Sequence, residues 1–154
     1  MNLLLDTNII LNIIRASNFE GIIHFINPED SPIYLSVVSE AEIKSLGLRN
    51  KWGVNRRNIL DNFLDQVNIV EINQSYINIY TEIDAYSQRL NPSFEHYSFD
   101  TPRNMGKNDL WIASLAALLG LNLITTDSDF DHLHSVFFEV NKINPSDFQP
   151  FFNL

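Results

Sequence analysis

Cysteine is absent from this chain, and basic residues are scarce. The 154 residues contain no cysteine, 10 lysines and arginines, and 19 aspartates and glutamates, which gives a formal net charge of −9. Without cysteine the chain forms no disulfides and no thiolate metal sites, a composition that fits a reducing compartment such as the cytoplasm. The chain also lacks the overall positive charge that most nucleic-acid-binding domains carry.

Long apolar runs are missing as well. The sequence has no uninterrupted apolar stretch of the length needed to cross a bilayer, so we expect no membrane span. Met1 and Asn2 lead directly into a strand-like run rather than a basic segment, so we expect no signal peptide. With 45% hydrophobic residues the chain can build a full core. We therefore expect residues 1–154 to form a single cytoplasmic domain.

Strand-like and helix-like patterns alternate along the chain. Short β-branched or aliphatic runs predict strands at 2–5, 33–38, 69–72, 121–125 and 136–140. Apolar spacing and capping residues predict helices that begin near residues 7, 19, 39, 56, 74 and 108. The helix from residue 74 is predicted to run to residue 90, with Leu90 among its apolar positions. Residues 91–105 are predicted to be a long loop, and Gly120 is the expected C-terminal glycine of the helix before it. The order predicts an α/β fold with four or five parallel strands and helices on both faces.

Four acidic residues either follow strand-like runs or open helix-like runs. They are Asp6, Glu42, Asp109 and Asp127. The carboxyl ends of parallel strands line one crevice, where ligands bind. Four carboxylates in one crevice repel one another strongly unless a cation joins them. Mg²⁺ and Mn²⁺ prefer oxygen ligands, polarise phosphoryl oxygens and lower the pKa of bound water. The pattern predicts a metal-dependent enzyme that hydrolyses phosphodiesters.

Each of these acids also has a purely structural explanation. Asp6 can N-cap the following helix, and Glu42 can complete a capping box with Ser39 as the N-cap. Asp109 can lie in a first helical turn because the helix dipole favours a negative charge there, and Asp127 can be a turn residue. The functional interpretation depends on the four acids together, because independent caps would not all have to fall at the same end of the predicted sheet.

Neighbouring residues compete for the same roles. Glu40 and Glu42 point about 200° apart on a helix, so only one of them can face the site, and the capping spacing favours Glu42. Asp129 is a second candidate beside Asp127, with a structural role as its alternative. His132 and His134 are two residues apart and cannot share a helical face, which argues against a histidine metal site.

Four blocks of sequence, in order, resemble the PIN-domain ribonucleases, and within them the VapC-type toxins of type II toxin–antitoxin pairs. The blocks are Leu3-Leu4-Leu5-Asp6-Thr7-Asn8, Ser36-Val37-Val38-Ser39-Glu40-Ala41-Glu42, Met105-Gly106-Lys107-Asn108-Asp109 and Leu123-Ile124-Thr125-Thr126-Asp127. Together they span nearly the whole chain. The resemblance implies a three-layer α/β/α sandwich and Mg²⁺- or Mn²⁺-dependent cleavage of RNA.

The resemblance also assigns roles to residues. Asp6 and Asp109 would be the main metal ligands, Asp127 would bind the metal directly or through water, and Glu42 would orient the attacking water or bind a second ion. The supporting hydrogen-bonding residues would be Thr7, Asn8 and Thr125. The candidate RNA contacts are Arg49, Lys51, Arg56, Arg57, Arg103 and Lys107. The family further implies a homodimer and a small antitoxin partner that blocks the acidic site.

Two interpretations remain open for the basic cluster, and two for the long loop. Arg49, Lys51, Arg56 and Arg57 supply four of the ten basic residues within nine positions, as either a solvated face or a patch for phosphate or a partner. Aromatic side chains of residues 91–105 could stack on bases or pack on the core as an ordinary loop.

Two other functions compete with the nuclease. The first is a PIN-like module that binds RNA or protein without catalysis, although the presence of all four acids argues against it. The second is a phosphatase with Asp6 as its nucleophile. Enzymes of the haloacid dehalogenase type have a second aspartate two residues later, and that position is Asn8 in this chain.

Overall fold

Five short strands form one parallel sheet in the computed structural model, which describes residues 1–152. The strands are β1 Leu3–Leu5, β2 Ile33–Ser36, β3 Asn68–Val70, β4 Asn122–Thr125 and β5 Val140–Lys142. Their order across the sheet is β3-β2-β1-β4-β5, and every neighbouring pair is parallel. The carboxyl ends of β2, β1 and β4 therefore lie side by side, which confirms the predicted parallel sheet.

Helices cover both faces of this sheet. The α-helices are α1 Thr7–Arg15, α2 Phe19–Ile26, α3 Val37–Arg49, α4 Val54–Asp65, α5 Ile77–Ser87 and α6 Lys107–Leu119. Short 3₁₀ segments cover Gln74–Tyr76, Ser128–Leu133 and Pro145–Phe151. Gly120 ends α6 in the left-handed conformation, with φ 65°, as predicted for a C-terminal glycine. None of these helices within residues 1–152 is long and apolar enough to cross a bilayer.

The central strand β1 contributes side chains to two separate cores. Leu3 and Leu5 pack with buried residues of α1 to α4, whereas Leu4 packs with buried residues of α5 and α6. Ile124 and Leu123 of β4 divide between the two cores in the same way. Each fully buried leucine or isoleucine contributes about 1.5–3 kcal/mol to folding. The alternation produces the three layers of the predicted α/β/α sandwich.

The start of α3 differs from the prediction. The helix begins at Val37, and its N-cap is Ser36, whose hydroxyl accepts a hydrogen bond from the Val38 N–H at 3.0 Å. The predicted capping box of Ser39 and Glu42 is therefore wrong, and β2 ends two residues earlier than expected. Val37 and Val38 suit a strand by their β-branching, but a serine cap followed by a helical run outweighs that preference.

Two further boundaries also differ. The fifth strand is Val140–Lys142 rather than 136–140, because Ser135 adopts φ 60° and its N–H donates to the Phe138 carbonyl at 2.9 Å, forming a turn in that region. The helix predicted over 74–90 starts as a 3₁₀ turn and ends at Ser87. Leu90 lies outside it and is 77% exposed, so its apolar side chain does not extend the helical face as expected.

Candidate active site

Asp6 stands at the carboxyl end of the central strand and caps the helix that follows. Its Oδ1 accepts from the Thr7 N–H at 2.8 Å and its Oδ2 accepts from the Thr125 hydroxyl at 2.8 Å. The side chain is buried, and this burial raises the pKa of Asp6 despite the two hydrogen bonds, with further contributions from the charges of Asp127 and Glu42. The predicted cap is thus present, and the carboxylate also belongs to a charged cluster.

Thr125 connects Asp6 to the next strand of the sheet. Its fully buried hydroxyl donates to Asp6 and accepts from the Asp127 N–H at 3.0 Å. A threonine hydroxyl has one proton to donate and lone pairs to accept, so both bonds form at once. The positions of Asp6 and Asp127 are therefore coupled through a single oxygen atom.

Glu42 reaches the same region from α3. Its Oε1 is hydrogen-bonded to Thr7 Oγ1 at 3.0 Å, and that hydroxyl is also bonded to Ser39 Oγ at 3.1 Å. Glu40 instead pairs with Lys44 at 3.1 Å. These contacts show that the two glutamates point in different directions, as the helical geometry predicted. A surface groove beside Glu42 is lined by residues that include Thr7, Asn8, Glu42 and Arg49.

Asp109, Asp127 and Asp129 form a close group of carboxylates. One oxygen of each lies within 4.8 Å of the others. The Asp129 N–H donates to Asp127 Oδ1 at 2.9 Å, which caps the 3₁₀ segment Ser128–Leu133. Asp129 therefore joins Asp127 instead of competing with it. The Asp-Ser-Asp spacing could have predicted this arrangement. An aspartate side chain often accepts a hydrogen bond from the backbone N–H two residues later, and the resulting turn brings the second aspartate close to the first.

The five acids share one electrostatic environment. The pKa of Asp109 is raised to about 7, chiefly by burial and then by the charges of Asp6, Asp127, Asp129 and Glu42. Partial burial and the charge of Asp127 also raise the pKa of Asp129. Carboxylates this close to one another favour proton uptake unless a cation compensates their charge. The donor set, all carboxylate oxygens, fits a hard divalent cation such as Mg²⁺ or Mn²⁺.

The predicted RNA contacts are spread over several surfaces. Arg49 lines the groove beside Glu42, and Lys107 begins α6 two residues before Asp109. Arg56 lies over the Trp52 ring at 5.5 Å. The other two members of the basic cluster are exposed: Lys51 lies between α3 and α4, and Arg57 lies within α4. Arg49 therefore shares a groove with Glu42, and Lys107 lies in the same first turn of α6 as Asp109.

The aromatic residues of the long loop pack inward. Phe94, Tyr97 and Phe99 surround Tyr86 of α5, with ring centroids 4.6, 5.2 and 5.5 Å away. The Tyr97 hydroxyl also accepts from the Asn91 N–H at 3.0 Å. These contacts favour the packing interpretation of the loop over base stacking.

The contacts of His132 and His134 differ from those of a pair of metal ligands. His132 is buried, with Nε2 2.7 Å from Ser87 Oγ, and its Nδ1 has no hydrogen-bond partner within residues 1–152. Burial, followed by the charge of Arg103, lowers the pKa of His132 to about 4. The Nδ1 atom of His134 instead accepts from the Val140 N–H at 2.9 Å.

A parallel α/β/α sandwich with carboxylates at the carboxyl edge of its central strands defines the class of this domain. The family model of the PIN domain matches residues 3–135, so the chain belongs to the PIN domain family. A comparison with curated proteins gives no match.

Solved structures share the fold. A chain of VapBC2 from Rickettsia felis, solved bound to a promoter DNA fragment, has a TM-score of 0.71 at 20% identity, covering 92% of this chain and 98% of that one. VapBC-1 from nontypeable Haemophilus influenzae gives 0.68 at 21% identity, with the same 92% and 98% coverage. VapBC-5 from Mycobacterium tuberculosis, a member of the VapBC family of toxin–antitoxin systems, gives 0.61 at 21% identity and again 92% and 98% coverage.

Proposed function

We propose that this chain is a metal-dependent endoribonuclease and the toxin of a toxin–antitoxin pair. The observation that carries the proposal is the convergence of Asp6, Glu42, Asp109, Asp127 and Asp129 at the carboxyl edge of the sheet, with the pKa of Asp109 raised to about 7. A purely structural set of caps does not require this concentration of negative charge. Membership of the PIN domain family supports nuclease chemistry for such a site.

Asp6, Asp109 and Asp127 would hold the cation, and Asp129 is placed to assist them. When bound, Mg²⁺ or Mn²⁺ polarises a phosphoryl oxygen and lowers the pKa of a bound water. Thr125 keeps Asp6 and Asp127 in fixed relative positions. Asp109 reaches the cluster from the first turn of α6.

Glu42 is the group we assign to the attacking water. Thr7 fixes its Oε1, so the other carboxylate oxygen can accept a hydrogen bond and then a proton from water in the groove. The water oxygen bonds to phosphorus, one P–O bond to the adjoining nucleotide breaks, and the departing oxygen takes up a proton from solvent, while Glu42 releases its proton to solvent afterwards. In this scheme Asn8 and Arg49, which share the groove, contact the RNA backbone, with Arg49 pairing with phosphate. Lys51, Arg56, Arg57 and Lys107 would add a diffuse attraction for RNA.

The proposed partner is a small antitoxin. Support comes from the similar folds in VapBC structures, one of which is described as part of a toxin–antitoxin system. An antitoxin would offset the hazard of a free ribonuclease in the cytoplasm, which is where we expect the chain to act. We also propose a homodimer, to be tested by size-exclusion chromatography with light scattering. A monomeric mass at all concentrations would contradict it.

Cleavage of total RNA by the purified chain tests the function. We expect cleavage with Mn²⁺ or Mg²⁺, none with EDTA, and loss of cleavage in Asp109→Asn and Asp6→Asn. The matched control is Asp65→Asn, which removes one exposed carboxylate at the end of α4 and should cleave like the wild type. Cleavage that survives EDTA and both site variants would exclude the proposed mechanism.

Calorimetry with Mn²⁺ separates the nuclease from a non-catalytic module. A folded wild-type chain that neither binds Mn²⁺ nor cleaves RNA would favour the binding module. Metal binding without cleavage of total RNA would instead indicate a nuclease with a narrow RNA target. Co-expression with the product of a small neighbouring gene, followed by co-purification, tests for the antitoxin.

A further inference from the structure

The peptide group between Ser128 and Asp129 is held from both sides. Its N–H donates to Asp127 Oδ1 at 2.9 Å, and its carbonyl oxygen accepts from the Arg103 guanidinium at 2.8 Å. Arg103 belongs to the long loop, 25 residues earlier in the chain. One peptide thus connects a basic residue of the loop to a carboxylate of the acidic site.

Arg103 is itself fixed in place. Its backbone N–H donates to the Ser87 carbonyl at 2.7 Å, at the end of α5. Its neighbours Asn104 and Met105 are anchored to the same helix end: Asn104 Oδ1 accepts from Gln88 at 2.9 Å, and Met105 Sδ lies 3.4 Å from Ser87 Oγ. The guanidinium therefore extends from a segment with several anchors of its own.

We propose that Arg103 is a positioning residue of the acidic site, holding the Asp127 carboxylate through the Ser128–Asp129 peptide. This inference rests on the proposed metal-dependent function. It assigns Arg103 a different role from the RNA contact expected from the sequence, because the guanidinium is directed at a backbone carbonyl of the protein. A hydrogen bond to a charged donor polarises the peptide, which makes its N–H a better donor to Asp127.

Charge and position have opposite effects on cation binding, and this makes the proposal testable. Arg103 is a cation near a site for another cation, so removing its charge alone would strengthen Mn²⁺ binding. Removing the support of the Asp127 carboxylate would weaken it, and loss of such outer contacts typically costs about 10- to 100-fold in metal affinity. The sign of the change therefore decides between the two effects.

The experiment is calorimetry of the full-length chain with Mn²⁺. We expect Arg103→Gln to weaken Mn²⁺ binding by about tenfold or more, and Arg103→Lys to recover part of the loss because a lysine can still donate to a carbonyl. The matched control is Arg89→Gln, because Arg89 lies over the ring of Tyr97 in the same long loop, at 5.3 Å. This substitution should leave the Mn²⁺ affinity unchanged. Unchanged or tighter Mn²⁺ binding by Arg103→Gln would overturn the proposal.

Hydrogen exchange in EDTA gives a readout that is independent of the metal. The Asp129 amide should exchange faster in Arg103→Gln than in Arg89→Gln, because its acceptor Asp127 is no longer held through the polarised peptide. Equal exchange in both variants would overturn the positioning role alone. Wild-type protein that binds no Mn²⁺ and cleaves no RNA would overturn the proposed function and this role with it. If Arg103→Gln fails to fold, Arg103→Lys takes its place, and a wild-type Mn²⁺ affinity together with wild-type exchange of the Asp129 amide in that variant would overturn the positioning role.

Discussion

The hydroxyl of Thr125 donates to Asp6 across 119 positions of sequence, at 2.8 Å, and joins the ends of two adjacent strands. The same oxygen accepts from the Asp127 N–H at 3.0 Å. On the other side, Asp6 accepts from the Thr7 N–H, and the Thr7 hydroxyl is bonded to Glu42. A continuous hydrogen-bonded path therefore runs from α3 through β1 to β4. The strands and helices that carry these side chains determine where they lie, so the fold itself organises most of the site.

Thr125→Val tests this path. Valine keeps the volume of threonine but removes the hydroxyl, so Asp6 loses a donor and the Asp127 N–H loses its acceptor. An unpaired polar group in this position costs about 1–3 kcal/mol, so we expect denaturant unfolding to show a loss of stability of that size and cleavage to fall. Thr125→Ser retains both bonds and is the matched control. If valine and serine variants have equal stability and equal cleavage, the path does not organise the site.

Asp109 should destabilise the metal-free protein at high pH. Its pKa is raised from 3.8 to about 7 in the folded state, so the fold favours the protonated form. The contribution of this group to stability is fully present below pH 3.8 and is lost as pH rises through 7. We expect Asp109→Asn, in EDTA at pH 8, to be more stable than the wild type by on the order of 1 kcal/mol after solvent screening.

Denaturant unfolding of both proteins from pH 4 to pH 8 measures this effect. The advantage of the asparagine variant should shrink toward pH 4, where the wild-type carboxyl is protonated. Asp65→Asn, at an exposed position, controls for removal of a negative charge from an acidic protein. An advantage of equal size at every pH would contradict the assignment to Asp109 titration.

The sequence predicts those parts of this molecule that depend on local pattern. Asp6 and Asp127 could be assigned to one edge because they follow buried strands, and parallel strands bring their carboxyl ends together. Asp129 and Arg103 could not be assigned their partners in this way. Their contacts depend on a 3₁₀ turn and on a loop that returns to the end of α5, and neither leaves a periodic signal. Ser36 and Ser39 show the same limit, since both have capping chemistry and only the observed helix start separates them.

The two serines at the start of α3 give a further prediction. Ser36→Ala removes the acceptor of the Val38 N–H, and loss of an N-cap costs about 1 kcal/mol. Ser39 lies inside the helix, with its hydroxyl bonded to Thr7. Ser39→Ala should therefore leave the helix start intact and alter only the surroundings of Thr7. Amide exchange of Val38 distinguishes them, with acceleration expected in Ser36→Ala. Unchanged Val38 exchange in Ser36→Ala, together with faster exchange of the Glu42 amide in Ser39→Ala, would contradict this assignment and favour the predicted capping box.

His132 makes the fold sensitive to acid. Its pKa is lowered from 6.5 to about 4 by burial and by Arg103, so the folded state favours the neutral ring. The stability that this group contributes is present above pH 6.5 and is lost as pH falls through 4. Between pH 7 and pH 4.5 we expect the wild type to lose about 2 kcal/mol on this account. His132→Gln cannot titrate and can still bond Ser87, so its stability should fall less over the same range.

The matched control is His96→Gln, at an exposed position of the long loop, which should follow the wild-type pH dependence. Urea unfolding at several pH values gives the comparison directly, since the difference between the two glutamine variants cancels the titration of the carboxylates. The carbonyl of Ser87 also accepts a hydrogen bond from the Arg103 N–H. Protonation of His132 would therefore disturb the helix end that anchors Arg103. Parallel pH profiles for the two variants would show that His132 is not the acid-sensitive group.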